Sequence, residues 1–289
     1  MKIAIVGGSG KMGRWFASFL SKDGKEVIIT GRNEKKLLEA KQQLGVEVAT
    51  ISEAVKSADA ILISVPIDSF EEVVKELCPY TRPEQVIVDI TSVKVFPVEV
   101  IHKHIKRGMV LGVHPMFGPG AKDIANKNFV LTPTSEGERT LAQKVRKYLE
   151  TRGAKVTLMT PQEHDEMMTV ILGLSHFIAI VSADTLLSLG RLKQMEAISG
   201  TTYKLLLTLV ESVISQDPEF YASLQMSLPN MTEVEKLFQT RAKAWADLVE
   251  SKSKQKFVER MNTLRSRLKK GDPDFWKGYE NIYKIVEGL

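Results

Sequence analysis

The first thirteen residues leave this chain few ways to begin folding. Lys2-Ile-Ala-Ile-Val6 is a short apolar strand, and Gly7-Gly-Ser-Gly-Lys-Met-Gly13 follows it directly, opening a helix that gathers Trp15, Phe16, Phe19 and Leu20 on one face. Gly8, Gly10 and Gly13 fit the spacing G-x-G-x-x-G. In that spacing Gly8 permits the tight turn, Gly10 lets the backbone approach a pyrophosphate, and Gly13 lets the helix pack closely on the strand with its amides facing the anion. A bare glycine pattern could be a structural turn; between a strand and a helix it points to a dinucleotide. Ser9, Lys11 and Met12 lie in the same loop and share that expectation.

The next strand, Glu26-Val-Ile-Ile-Thr30, ends where an NAD-binding fold places a carboxylate for the ribose 2′-hydroxyl, and the chain instead reads Gly31-Arg32-Asn33. Arg32, with Lys35 and Lys36 nearby, could pair with a 2′-phosphate, so NADP is expected ahead of NAD. The alternative is that Arg32 only starts a surface helix. Strands at Glu47-Val48, Ala60 to Val65, Gln85 to Asp89, Phe129 to Thr132 and Lys155 to Leu158 alternate with helical stretches, which predicts a mostly parallel sheet.

Val110-Leu-Gly-Val-His-Pro-Met-Phe-Gly-Pro-Gly120 runs an apolar strand into a histidine and a loop locked by Pro and Gly. Because proline has no N–H for the sheet, pairing is expected to stop there, leaving His114 at the strand's carboxyl end, where open α/β sheets bind ligands. A lone histidine at a strand end can be purely structural; the dinucleotide expected at the same edge argues for function. Asp89-Ile-Thr-Ser-Val-Lys94 places Ser92 and Lys94 at that edge too, as partners for a polar anionic substrate, although Ser92 could instead cap the following helix.

From Thr160-Pro-Gln-Glu163, a capping box, a helix is expected to run to about Leu189 with nothing but Gly173 to interrupt it. It is apolar on nearly every side and must be buried on nearly every side. The rest of the chain reads as helices, including one over 232–270. The expected architecture is α/β: a Rossmann-like, mostly parallel amino-terminal domain over 1–159 and an all-α dimerisation domain over 160–289. His164 and His176 lie twelve residues apart on the long helix and do not share a face, and with no other ligand cluster no metal is expected.

With 289 residues, two domains are expected rather than one core. The net charge of +5 alone could suggest nucleic acid, but acidic and basic residues alternate, and the basic run Lys252 to Lys270 has no aromatic interleaving and reads as a solvated helix face. Cys78 is the single cysteine, which excludes an internal disulfide. The chain enters a strand at once, and the apolar run Met167 to Val181 is judged too short for a bilayer, so a cytoplasmic protein with neither membrane nor nucleic-acid partner is expected.

With these residues in view, the chain resembles the TyrA family, the prephenate, arogenate and cyclohexadienyl dehydrogenases of tyrosine synthesis. The likeness rests on Gly7-Gly-Ser-Gly-Lys-Met-Gly-Arg-Trp-Phe16, Ser64-Val-Pro66, Asp89-Ile-Thr-Ser-Val-Lys94, His114-Pro-Met-Phe-Gly-Pro119, Glu163-His-Asp165, Ser175-His-Phe177 and Gln216-Asp-Pro218. The glycine loop is common to many dehydrogenases; the other combination is specific. The resemblance implies an oxidative decarboxylation of prephenate to 4-hydroxyphenylpyruvate, or of arogenate to tyrosine. It implies His114 as the base on the ring hydroxyl, Ser92 orienting that hydroxyl, Lys94 and His176 on the substrate, and Ser64 and Pro66 beside the cofactor. The family's substrate arginine is replaced by Ser212, so Lys204, Arg241 or Lys243 is expected to hold the anion. The rivals are an F420-type NADP reductase, which has no need of the His114 loop, and a non-catalytic NADP-binding regulator.

Overall fold

A computed structural model describes residues 1–288. Strands β1 (Lys2–Val6), β2 (Glu26–Thr30), β3 (Glu47–Val48), β4 (Ala60–Ile63), β5 (Val86–Asp89), β6 (Met109–Pro115), β7 (Asn128–Thr132) and β8 (Lys155–Leu158) form one sheet. Its order is β3-β2-β1-β4-β5-β6-β7-β8, and every neighbouring pair is parallel except β6 with β7. The order reverses between β1 and β4, so the carboxyl ends there open into a crevice. The connecting helices are α1 (Lys11–Lys22), α2 (Glu34–Leu44), α3 (Ile51–Ser57), α4 (Phe70–Leu77), α5 (Val95–His104), α6 (Glu136–Glu150) and α7 (Pro161–Met168).

Alternate residues of a strand point to opposite faces, and the core divides accordingly. Ile3 and Ile5 of β1 join one buried cluster with Ile29, Leu111 and Phe129, while Ala4 and Val6 join another with Ile61, Ile63 and Phe70. Ile5 is wholly buried, so truncating it to alanine should cost about 2–5 kcal/mol.

Pro115 does not end its strand. β6 continues through it, pairing Pro115 with Phe129 of β7, and Met116 N–H donates to the Asn128 carbonyl at 2.9 Å. By the alternation of a strand, the N–H that Pro115 lacks belongs to the other side, where β5 has already stopped opposite Gly112. The proline therefore costs the sheet no hydrogen bond.

The first compact unit ends at Met168, later than the expected 159, because α7 packs against α5 and β7. The second begins with a π-helical turn, Thr169–Leu174, which the sequence reading missed. There the Gly173 carbonyl accepts a bond from Gln225 Nε2 at 2.9 Å, and a Cβ on Gly173 would lie 2.4 Å from Met231 Sδ. Helices α8 (Ser175–Ser188), α9 (Leu192–Ala197), α10 (Thr201–Ile214), α11 (Pro218–Ser227), α12 (Met231–Glu250), α13 (Lys254–Gly271) and α14 (Gly278–Glu287) complete this unit. The helix expected over 232–270 is broken at Lys252, which takes φ +49° without any Gly or Pro to announce it.

One expectation about the long helix is corrected. Pro161–Ser188 is a 28-residue helix that is long and apolar enough, by length and composition, to cross a membrane, and only 17% of its apolar window is buried. Exposed Val170, Ile171, Val181 and Leu187 leave that surface in need of a cover.

Candidate active site

The glycine loop works differently from the expected division of labour. The left-handed residue is Gly7, at φ +86°, and a Cβ there would lie 2.1 Å from the Ser64 carbonyl oxygen. Gly8 is instead pressed on β2, where its Cβ would lie 2.5 Å from Ile29 Cβ. Gly13 is required by packing, since its Cβ would sit 2.4 Å from the Gly7 carbonyl oxygen. Gly10 is open, with only that oxygen within reach, at 3.3 Å. It is also the N-cap of α1, with no side-chain cap and no acidic residue in the first turn. The result is a recess of backbone donors without a side chain to fill it, which fits a pyrophosphate. Met12 offers only its backbone, because its side chain packs on the core.

Ser64-Val-Pro66 ends β4 beside this loop, with Ser64 N–H donating to the Val6 carbonyl at 2.8 Å and Pro66 starting a short 3-10 turn. Gly31, just past β2, carries no carboxylate, and a Cβ there would lie 3.1 Å from Ser9 Oγ, within reach of a small rotation of that hydroxyl. Arg32 is exposed, and among the described residues its guanidinium has no partner. Asn33 caps α2 by accepting from Lys36 N–H at 2.9 Å.

His114, on β6, is buried, and its Nδ1 lies 2.8 Å from Nε2 of His164 on α7. His164 Nδ1 lies 2.7 Å from Asp165 Oδ1, and the Asp165 carboxylate accepts the N–H groups of Lys94 (2.7 Å) and Val95 (2.9 Å). That carboxylate caps α5, where Ser92 was an alternative: the N-cap residue is Lys94, and Ser92 is half-buried with no partner among the described residues.

The order of bonds assigns the protons. A carboxylate can only accept, so His164 Nδ1 carries a hydrogen, and in the neutral ring its Nε2 is then an acceptor. His114 must donate from Nδ1, which leaves a lone pair on its Nε2, an atom with no partner among the described residues. Burial, the facing His164 and the Lys94 ammonium hold the His114 pKa well below its ordinary 6.5, so it stays neutral. Burial lowers the His164 pKa as well, against the pull of Asp165.

Lys94 corrects the sequence reading. Its side chain is wholly buried, and Nζ donates to Asp89 Oδ2 and to the Val113 carbonyl at 2.9 Å, so the ammonium faces inward rather than toward a ligand. Burial pulls its pKa down while Asp89 and Asp165 pull it up. Asp89 Oδ1 also accepts the N–H and hydroxyl of Thr91, at 2.7 and 2.6 Å. Removing either partner of the buried pair would leave an unpaired charge, at a cost of about 3–5 kcal/mol.

In the second unit His176 stands edge-on to Tyr221 at 4.9 Å, and its Nδ1 is buried without a partner among the described residues. Burial keeps that ring neutral by lowering its pKa. Lys204 and Arg241 are exposed, Lys243 pairs with Asp247 at 2.9 Å, and the Ser212 hydroxyl donates to the Leu209 carbonyl at 2.8 Å. The sequence reading passed over His164 and Asp165 as site residues. The signal was the Glu163-His-Asp165 motif; the reading tested His164 only against His176, not against a strand fifty residues earlier.

A sheet with this switch point and this loop defines a two-unit α/β dinucleotide-binding protein. The family model described as "Prephenate dehydrogenase, nucleotide-binding domain" matches residues 16–158, and "Prephenate dehydrogenase, dimerization domain" matches 160–263. The chain belongs to the prephenate dehydrogenase family, the TyrA dehydrogenases its motifs resemble. It is 34% identical over 265 residues to a probable arogenate/prephenate dehydrogenase of Methanocaldococcus jannaschii, covering 90% of this chain and 59% of that one. It is 30% identical to the T-protein of Haemophilus influenzae, covering 91% and 66%. The chain thus spans about three fifths to two thirds of the curated relatives it matches. The prephenate dehydrogenase of A. aeolicus, solved with hydroxyphenyl propionate and NAD+, shares the fold at TM-score 0.76 and 22% identity, covering 94% of this chain and 98% of that one.

Proposed function

We propose that this chain is an NADP-preferring prephenate dehydrogenase that converts prephenate to 4-hydroxyphenylpyruvate, with arogenate as the alternative substrate. The observation that carries the reading is the lone pair on His114 Nε2, fixed by the Asp165–His164 relay at the sheet edge that bears the glycine loop. A nicotinamide bound at the glycine loop would supply the acceptor for the hydride of ring C4.

His114 Nε2 takes the proton of the C4 hydroxyl as that hydride leaves, and Ser92 orients the hydroxyl. The ring carboxylate departs as CO2, the electrons of the broken carbon–carbon bond complete the aromatic ring, and the phenolate recovers the proton. A base that remains neutral at pH 7 is ready for this step without first losing a proton. Lys94 supports it from within by holding the Val113 carbonyl next to His114. Lys204 and Arg241 are the candidates for the substrate anion, and His176 for a further polar contact. Arg32 holds the 2′-phosphate.

The exposed side of the Pro161–Ser188 helix is read as a seam between two copies in a cytoplasmic homodimer, supported by the dimerization-domain match. The reading is tested by incubating the protein with prephenate or arogenate and each nicotinamide cofactor while following reduced-nicotinamide absorbance. No turnover with either acid, despite cofactor binding, would leave a regulator that only binds NADP.

A further inference from the structure

The turn Gly118-Pro119-Gly120 just beyond His114 has no internal reason for its glycines. Neither takes a positive φ, and a Cβ on either would meet nothing within 4 Å. All three residues are exposed, and the turn is closed by the Ala121 N–H, which donates to the Gly118 carbonyl around Pro119. The loop is also held from its flanks. Phe117 packs edge-on against Trp15 at 4.9 Å and against Phe129 at 5.4 Å. On the far side of the turn, Trp15 Nε1 donates to the Ala121 carbonyl at 2.6 Å. One side chain thus grips both ends of the exposed turn.

Trp15 stands on α1, just past the first-turn amides of Lys11, Met12 and Gly13 that face the proposed pyrophosphate. A short rigid helix therefore joins the cofactor recess to the loop beyond the base. Glycines with open space around them suit a segment that must come close to something other than its own chain.

We propose that Trp15 is a positioning residue that pins the Gly118–Gly120 turn to the helix receiving the dinucleotide, so that cofactor binding orders one wall of the substrate site. The inference rests on the proposed function for both the cofactor and the substrate. Its test is hydrogen exchange at the Ala121 amide, which donates to the Gly118 carbonyl at 3.1 Å and reports opening of the turn.

In the wild-type protein, saturating NADP slows this exchange. In Trp15→Phe, which keeps a ring but removes the N–H, exchange becomes about two- to tenfold faster, the population shift of one hydrogen bond. NADP no longer slows it, although NADP affinity stays within about a factor of two, since α1's amides are untouched. Unchanged exchange in Trp15→Phe, or a wild-type amide indifferent to bound NADP, overturns the inference. If Trp15→Phe does not fold, Phe117→Leu loosens the same grip from the loop side and is read in the same way. Absent turnover with intact NADP protection would sink the proposed reaction and leave this coupling standing.

Discussion

His164 presents Nε2 to Nδ1 of His114 at 2.8 Å across fifty residues of chain, and this contact leaves Nε2 of His114 as the acceptor nitrogen of its ring. The proposed base therefore depends on a short line of bonds, each of which can be cut.

Cutting at the base comes first. His114→Asn keeps a polar side chain but removes the proton acceptor, and loss of a general base costs about 10²–10⁴-fold in rate. NADP affinity should stay within about threefold, because the recess at Gly10 lies on another strand's loop. Steady-state rates with prephenate and arogenate, set beside a fluorescence titration of NADP, make the check. Near-normal turnover in the variant would make His114 structural.

Cutting at the far end tests the proton assignment. Asp165→Asn can offer an N–H where His164 needs an acceptor, so the rings can settle with the hydrogen on the wrong nitrogen of His114. Losing a hydrogen bond to a charged group is worth about 1.5–3 kcal/mol, or roughly 10- to 150-fold in kcat. The same variant keeps one acceptor oxygen for the two N–H groups at the start of α5, which should lower stability by up to about 1 kcal/mol. A stability loss at unchanged kcat would reduce Asp165 to a cap.

Acid should destabilise the protein through the two histidines. Both have folded pKa values below the 6.5 of the free side chain, so below that pH the unfolded chain binds protons that the folded state refuses. Stability is present above pH 6.5 and is lost as pH falls, by up to about 1.4 kcal/mol per pH unit for each group, until the folded pKa is reached. Thermal melts between pH 7 and 5 should show the slope, and His114→Asn should flatten it. The kcat/KM plateau should extend below pH 6.5 for the same reason, and a rate that halves near 6.5 would contradict the depressed pKa of His114.

Cofactor choice turns on Arg32. Replacing it with alanine should weaken NADP by about 1.5–3 kcal/mol, the range for hydrogen bonds to a charged group, and leave NAD nearly unchanged. Equal losses for the two cofactors would give Arg32 another task.

Association through the helical unit predicts a particle of twice the 32.3 kDa chain mass in light scattering at micromolar concentration. Replacing exposed Ile171 and Val181 with lysine should shift it toward the monomer. A wild-type protein that scatters as a monomer would rule the dimer out.

Much of the first unit was legible because its signals are local. An apolar strand, a glycine spacing and a helix face each declare themselves within about fifteen residues, and they place the recess and His114 at one sheet edge. What stayed hidden depends on distant parts of the chain. That Gly7 rather than Gly8 makes the turn depends on the Ser64 carbonyl, and that Pro115 sits harmlessly inside a strand depends on β5 stopping early. Lys94 looked like a ligand because a lysine at a strand end usually is solvated; only the fold shows Asp89 waiting for it.

The single reversed strand has a consequence for how such a protein can diversify. Every parallel connection in the sheet must cross back over a face, and so brings to the carboxyl edge little more than a short turn and a helix start. Because β7 runs antiparallel to β6, the chain after Pro115 leaves that edge and re-enters at Asn128 without crossing anything. Phe117 and Ile124 tie the segment to the core and Trp15 holds the Ala121 carbonyl, so the part that can change while the strands on either side keep their register is the exposed turn at 118–120, and surface connections of this kind tolerate such change best. Change confined to that turn would leave the pairing of β6 with β7, and with it the placement of His114, as it is.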